Sequence, residues 1–215
     1  AATLQLDPPS HHANNALRWL PETLPEPRDP GFVPALLDRE LPLLEASNGR
    51  AFPLFTSHRA LKYAAELLAE RVSFPLFVQG EQPRSILLEQ FRTSGDGVLL
   101  GSASFWEGVD VIGEALSLVV IDKLPFAAPD DPVIEARSGM LRRNGGNPFT
   151  GLFLPQAVIS LTQGAGRLRR DGNDRGVLVL CDPRLRTRSY GGVFLESLPP
   201  MKQASNQDEA EEFLQ

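Results

Sequence analysis

Short apolar runs alternate along the chain with segments whose apolar residues recur at helical spacing. The runs cover residues 51–55, 76–79, 97–102, 116–122 and 176–181, and each predicts a β-strand. The helical segments cover residues 36–46, 57–70, 83–92, 131–143 and 155–170. Because the strands are apolar throughout and mostly separated by helices, the pattern predicts an α/β fold: an open, mostly parallel sheet with helices on both faces.

Prolines and glycines mark the limits of this pattern. Pro53 lies inside the first run, and since a proline donates no ladder hydrogen bond, we expect an edge strand, a strand start or a bulge there. Asn48 and Gly49 predict a helix end. Seven prolines within residues 1–34 predict an extended arm or linker, followed by one domain over 35–201. Residues 202–215 predict an acidic tail, as a frayed helix or a disordered end.

Composition narrows the class of protein. No apolar run is long enough to span a membrane and no signal peptide is recognisable, so we expect a cytoplasmic protein. The only cysteine, Cys181, ends an apolar run and is expected to be buried rather than to bind metal. The net charge is −6, yet residues 137–188 contain ten arginines and three aspartates, a local balance of +7. Such a cluster predicts a site for a polyanion, the alternative being a solvated basic face.

Polar residues follow several predicted strands, at 56–57, 102–110, 123–126 and 182–188. Open parallel sheets bind ligands beyond the carboxyl ends of their strands. Thr56 and Ser57 stand where a helix N-terminus can bind phosphate, although either is also a plausible helix cap. Lys123 is a candidate phosphate contact, and Phe126 either stacks on a base or closes the core.

The segment 163–170 is both basic and rich in glycine. On a continuous helix Gln163, Arg167 and Arg170 share one face, because their spacings are four and three residues. Gly164 and Gly166 each weaken a helix by about 1 kcal/mol, which indicates a close backbone approach or a distortion.

Four segments together resemble the XPD/DinG branch of superfamily 2 helicases. Residues 163–170 resemble motif VI, in the form Gln163-Gly164-Ala165-Gly166-Arg167-Leu168-Arg169-Arg170, and residues 101–110 resemble motif V, with the core Ser104-Phe105-Trp106-Glu107-Gly108-Val109-Asp110. Residues 54–61 are similar to motif IV and residues 122–126 to the segment that follows a core strand near DNA. The resemblance covers about residues 50–201, and it implies a RecA-like fold.

This resemblance also implies roles for individual residues. Arg167 and Arg170 would be arginine fingers for ATP, and Gln163 would be a catalytic residue beside them. Glu107, Gly108, Asp110 and Gly166 would bind ATP, and the motif V residues among them would couple nucleotide to DNA. Thr56, Ser57, Ser102, Ser104, Lys123 and Phe126 would contact single-stranded DNA. No metal-binding residues are implied.

The resemblance therefore implies the second motor domain of a DinG/YoaA-like 5′-to-3′ DNA helicase, in repair or replication. The chain has no GxxxxGK[ST] loop, so ATP and Mg²⁺ would be held mainly by an N-terminal motor domain, and a [4Fe–4S] cluster would lie in that other part. Partners would be single-stranded DNA, the first motor domain and replication or single-strand-binding proteins, with no membrane. The alternative is a non-catalytic RecA-like interaction module; a nucleotide-sugar transferase half explains the motifs less well.

Overall fold

A computed structural model describes residues 15–102, 105, 116–168 and 175–215. Within these residues seven strands form one parallel sheet, in the order β3-β4-β2-β5-β6-β1-β7. The strands are β1 Ala16–Trp19, β2 Ala51–Phe55, β3 Leu76–Val78, β4 Val98–Ser102, β5 Leu118–Ile121, β6 Gly176–Leu180 and β7 Lys202–Gln203. The helices are α1 Phe32–Ser47, α2 His58–Ala69, α3 Arg84–Ser94, α4 Pro132–Arg143, α5 Leu154–Ala165, α6 Arg184–Thr187, α7 Gly191–Ser197 and α8 Gln207–Leu214, with a π-helical turn, Phe149–Phe153, leading into α5.

Both faces of the sheet are buried, which confirms the predicted fold class and its five strands. In β5, Leu118 and Val120 pack on the face covered by α1, α2 and α8. Val119 and Ile121 pack on the opposite face, under α3, α5 and α7. Because each side of the strand meets a helical layer, apolar residues occupy every position and no polar alternation remains.

Helix α1 ends where the sequence predicts. Asn48 adopts the left-handed conformation as the C-cap, and Gly49 follows with φ of 72°. A Cβ at Gly49 would lie 1.9 Å from the carbonyl oxygen of Asp96, so only glycine fits this turn. At 16 residues α1 is the longest described helix, and no described helix is long and apolar enough to cross a membrane.

The expectation for Pro53 is wrong. β2 lies inside the sheet between β4 and β5, and Pro53 stands in its middle, opposite Val120 of β5. The pairing of β2 with β4 holds at Ala51, Leu54 and Phe55, on either side of the proline. The central strand β2 therefore accommodates the missing N–H of Pro53, because residues on both sides of the proline remain paired with β4.

Part of the predicted N-terminal arm belongs to the sheet. β1 pairs with both β6 and β7, and Leu17 and Trp19 are buried. The chain that follows is held by Arg186, which donates to the carbonyl oxygen of Leu20 and lies 3.6 Å from a carboxylate oxygen of Glu22. Prolines that interrupt regular structure nearby did not prevent a four-residue strand from pairing.

The end of the predicted acidic tail is also packed. Asn206 caps helix α8, its side chain accepting from the amide of Glu209, and Ala210 is fully buried against the layer that contains α1. The sequence pattern underestimated this segment because its apolar face consists of few residues, mainly Ala210 and Phe213.

Candidate functional site

Three neighbouring strands bring the candidate DNA-contacting residues to one edge of the sheet. β5 lies between β2 and β6, and Ile121 stands opposite both Leu54 and Leu180. The chain leaves all three strands at this level, so residues 56–57, 122–126 and 181–184 line the same carboxyl edge. The location predicted from the strand pattern is therefore confirmed for these three segments.

A buried aspartate links two of these segments. One carboxylate oxygen of Asp122, Oδ1, accepts hydrogen bonds from the backbone amides of Thr56, at 3.1 Å, and Lys123, at 2.7 Å. Asp122 is 1% exposed, and burial raises its pKa to about 7 in spite of these donors and the nearby Lys123. The other oxygen, Oδ2, is buried without a hydrogen-bond partner among the described residues.

A second buried aspartate repeats the arrangement on the next strand. Asp182 accepts from the amide of Leu124 at 2.7 Å and from the amide of Arg184 at 2.9 Å. The guanidinium of Arg184 also pairs with it, Nη2 to Oδ2 at 2.7 Å. Asp122 and Asp182 thus tie the loops after β2, β5 and β6 into one hydrogen-bonded set.

Thr56 and Ser57 occupy the junction between β2 and α2. Ser57 is the N-cap, and its hydroxyl oxygen accepts from the amide of Ala60 at 3.2 Å. Thr56 is half-buried, and its hydroxyl oxygen has no hydrogen-bond partner among the described residues. The capping role considered for Ser57 is thus present, and the cap places a helix N-terminus at the carboxyl edge.

Phe126 packs against other aromatic rings. Its centroid lies 5.8–5.9 Å from those of Phe149, Tyr190 and Phe194, and Arg184 stacks over it at 5.4 Å. Of the two roles considered for Phe126, this packing favours closing the core over stacking on a base.

Two contacts that the sequence did not indicate hold the described residues at and after the end of β4. Ser102, at the end of β4, is buried, and its amide donates to the side-chain oxygen of Gln79 at 2.6 Å. The guanidinium of Arg84 lies 4.9 Å from the ring centre of Phe105, within the motif V segment. The candidate residues Ser104, Glu107, Gly108 and Asp110 lie outside the described residues. The available sequence signal for Gln79 and Arg84 was only that both are polar residues that follow strand β3 along the chain.

Helix α5 is shorter than predicted. It ends at Ala165 with Gly166 as its C-cap, whereas the sequence predicted a helix to residue 170. Gln163 is exposed in the last turn and Arg167 lies beyond the helix, half-buried. The prediction that Gln163 and Arg167 share a helical face is therefore wrong, because the helix ends before Arg167, whose amide bonds to the carbonyl oxygen of Gly164 in a tighter turn. Arg170 lies outside the described residues.

Several described arginines of the basic segment interact with other groups of the domain. Arg184 pairs with the buried Asp182, and the exposed Arg186 bonds to Leu20 and Glu22. Arg175 stacks 5.5 Å from the ring centre of Phe213. Arg137, Arg142 and Arg143 are exposed on α4. Part of the local charge excess therefore stabilises the fold, which reduces the cluster available to a polyanion.

The acidic and sulfur groups offer no evident metal centre. Among the described residues no three histidine, cysteine, aspartate or glutamate side chains form a group that could hold a metal ion. Cys181 is buried, as expected, and burial, together with the nearby Glu40, raises the pKa of its thiol.

Comparison with known proteins gives the same assignment along most of the chain. The family model described as helicase C-terminal domain matches residues 41–201. The chain is 46% identical over its whole length to the ATP-dependent DNA helicase YoaA of Escherichia coli (strain K12), of which it covers 34%. It is 40% identical to the ATP-dependent helicase DinG of Mycobacterium tuberculosis (strain H37Rv), over 94% of the chain and 31% of that protein. The chain thus spans about a third of the length of these curated relatives.

A solved structure matches the fold. The structure of S. tokodaii Xpd4 superposes with a TM-score of 0.63 at 18% identity, covering 91% of this chain and 39% of that one. The seven parallel strands with helices on both faces are accordingly a RecA-like fold, as the resemblance implied.

Proposed function

Because the chain belongs to the family of helicase C-terminal domains, in its DinG/YoaA-like branch, we propose that it is the second motor domain of an ATP-dependent DNA helicase. One observation carries the proposal: the family match over residues 41–201 includes all four motif segments. The strands β2, β4 and β5, where three of these segments begin or which they follow, belong to one parallel sheet. In the whole protein the domain would support 5′-to-3′ movement along single-stranded DNA, in repair or replication.

The end of α5 would face the nucleotide. Gln163 is exposed there, and Gly166 is the C-cap that ends the helix directly before Arg167. Arg167 and Arg170 would extend toward the γ-phosphate of ATP held by the first motor domain and stabilise the charge of the transferring group. Glu107, Gly108 and Asp110 of motif V would relay the nucleotide state to the DNA side.

The carboxyl edge of the sheet would face the DNA. The capped N-terminus of α2 presents Thr56 and Ser57, and the neighbouring strand places Lys123 at the same level. A helix N-terminus beside a lysine suits a phosphate backbone and carries no sequence preference. Ser102, the last residue of the adjacent strand β4, and Ser104 would extend the track.

This chain would supply only part of the binding sites for the cofactors of the whole helicase. ATP is the substrate, and its Mg²⁺ would be bound mainly by the first motor domain. A [4Fe–4S] cluster needs four thiolates, and this chain has one cysteine, which is buried and does not fit such a role. Any cluster would therefore depend on residues outside this chain.

DNA-stimulated ATP hydrolysis by the full-length protein tests the proposal. Replacing Arg170→Ala should lower turnover by ~10³-fold or more, because arginine fingers contribute on that scale. Arg142→Ala, an exposed arginine on α4, is the matched control and should retain wild-type turnover. Wild-type turnover in Arg170→Ala would contradict the catalytic role and favour the non-catalytic interaction module.

A further inference from the structure

Asp122 is buried and is joined to two of the segments that we propose to contact DNA. We propose that Asp122 is a positioning residue, whose carboxylate holds the loops carrying Thr56 and Lys123 in the geometry that binds the DNA backbone. This inference rests on the proposed function and concerns a residue that does not itself reach the DNA.

The hydrogen bonds of Asp122 indicate its positioning role. Oδ1 of Asp122 accepts from the amide of Thr56, which lies 66 residues away in sequence, and from the amide of Lys123. These two amides follow the neighbouring strands β2 and β5, whose register brings Leu54 opposite Ile121. A single acceptor between two amides sets the spacing of the loops more narrowly than strand pairing alone, because the ladder ends before both loops begin.

The burial of Asp122 excludes direct contact with DNA and leaves it a positioning role. Asp122 is 1% exposed, so phosphate cannot reach it, and a carboxylate would repel phosphate in any case. Lys123 is half-buried and Ser57 caps α2 at the surface, so the groups available to DNA lie on either side of the aspartate. The carboxylate therefore acts through its neighbours.

Stability alone does not account for an aspartate at this position. Its Oδ2 atom has no hydrogen-bond partner among the described residues, and a buried carboxylate with an unsatisfied oxygen is destabilising. An acceptor without charge would satisfy the same two amides. The positioning role therefore depends on the acceptor oxygen that the two amides share, not on the charge of the side chain.

Asp182 extends the linkage to the third strand. It accepts from the amide of Leu124, the second residue after Asp122, and pairs with Arg184. Movement of the loop after β5 is thus restrained from both sides, by Asp122 toward β2 and by Asp182 toward β6. Loss of Asp122 releases the β2 side only, so the domain should remain folded while the two DNA-facing loops lose their fixed spacing.

The test separates DNA engagement from catalysis in the full-length protein. For Asp122→Ala we expect the concentration of oligo(dT) that half-saturates ATP hydrolysis to rise by about 10-fold, equivalent to ~1.4 kcal/mol. Turnover at saturating oligo(dT) should change less than twofold, since the arginine fingers are untouched. Asp122→Asn keeps one acceptor oxygen for both amides and should restore half-saturation to near the wild-type value.

Controls distinguish positioning from general destabilisation. Glu40→Ala removes another fully buried carboxylate without hydrogen bonds to either loop, and it should leave half-saturation unchanged. If Asp122→Ala does not fold, Asp122→Ser replaces it; its shorter side chain cannot reach both amides and should give the same rise. Unchanged half-saturation in the folded Ala or Ser variant, or failure of Asn to rescue, overturns the inference. Absence of DNA-stimulated hydrolysis in the wild type refutes the proposed function itself.

Discussion

Glu40 offers a quantitative test of how this domain is packed. It lies on the buried side of α1, is 1% exposed, and neither carboxylate oxygen has a hydrogen-bond partner among the described residues. Burial raises its pKa from 4.5 to about 8. Because each pKa unit corresponds to ~1.4 kcal/mol, this change corresponds to about 5 kcal/mol of stability between low and high pH.

The sign of the effect follows from which state binds the proton. A raised pKa means that the folded protein retains a proton that the unfolded chain has already released. The contribution of Glu40 is therefore most favourable below pH 4.5 and is lost as the pH rises through about 8. Glu40→Leu removes the titration and fills a similar volume with an apolar side chain, which is often neutral or stabilising at buried charged sites.

Urea unfolding of the 215-residue chain between pH 5 and 8.5, followed by circular dichroism, measures this contribution. The free energy of unfolding of Glu40→Leu, relative to wild type, should increase by about 1 kcal/mol per pH unit over this range. Glu45→Leu makes the same change at an exposed position of α1 and should show no such trend. A constant difference between Glu40→Leu and wild type across the pH range would refute a buried, unpartnered carboxyl at this position.

Two further predictions concern local geometry. Gly191→Ala should lower the free energy of unfolding by about 2 kcal/mol or more, because its Cβ would lie 2.1 Å from the carbonyl oxygen of Leu185. Gly192→Ala, where nothing lies within 4 Å of the added Cβ, should be neutral or stabilising in the same urea experiment, and equal effects would contradict the packing. Ser57→Ala should cost about 1 kcal/mol through loss of the α2 cap, and Ser57→Asp should recover most of it. An unchanged urea midpoint in Ser57→Ala would exclude the capping hydrogen bond.

Local sequence was sufficient wherever one segment decides its own structure. The apolar runs identified five of the seven described strands, since a strand covered on both faces is apolar at every position. Asn48 and Gly49 identified the end of α1 because a left-handed turn has few compatible residues. The order of apolar runs and polar ends also located Thr56, Ser57 and Lys123 at one edge, because parallel strands end on the same side.

Contacts between distant segments decided the remainder. Pro53 occupies a central strand because β4 and β5 pair around it, and β1 is a strand because β6 and β7 lie beside it. The extent of α5 depended on where Gly166 ends it, which helical periodicity alone does not reveal. Likewise, the sequence identifies Asp122 only as a carboxylate after a buried strand. Its link to Thr56 exists because folding brings an amide 66 residues away within 3.1 Å.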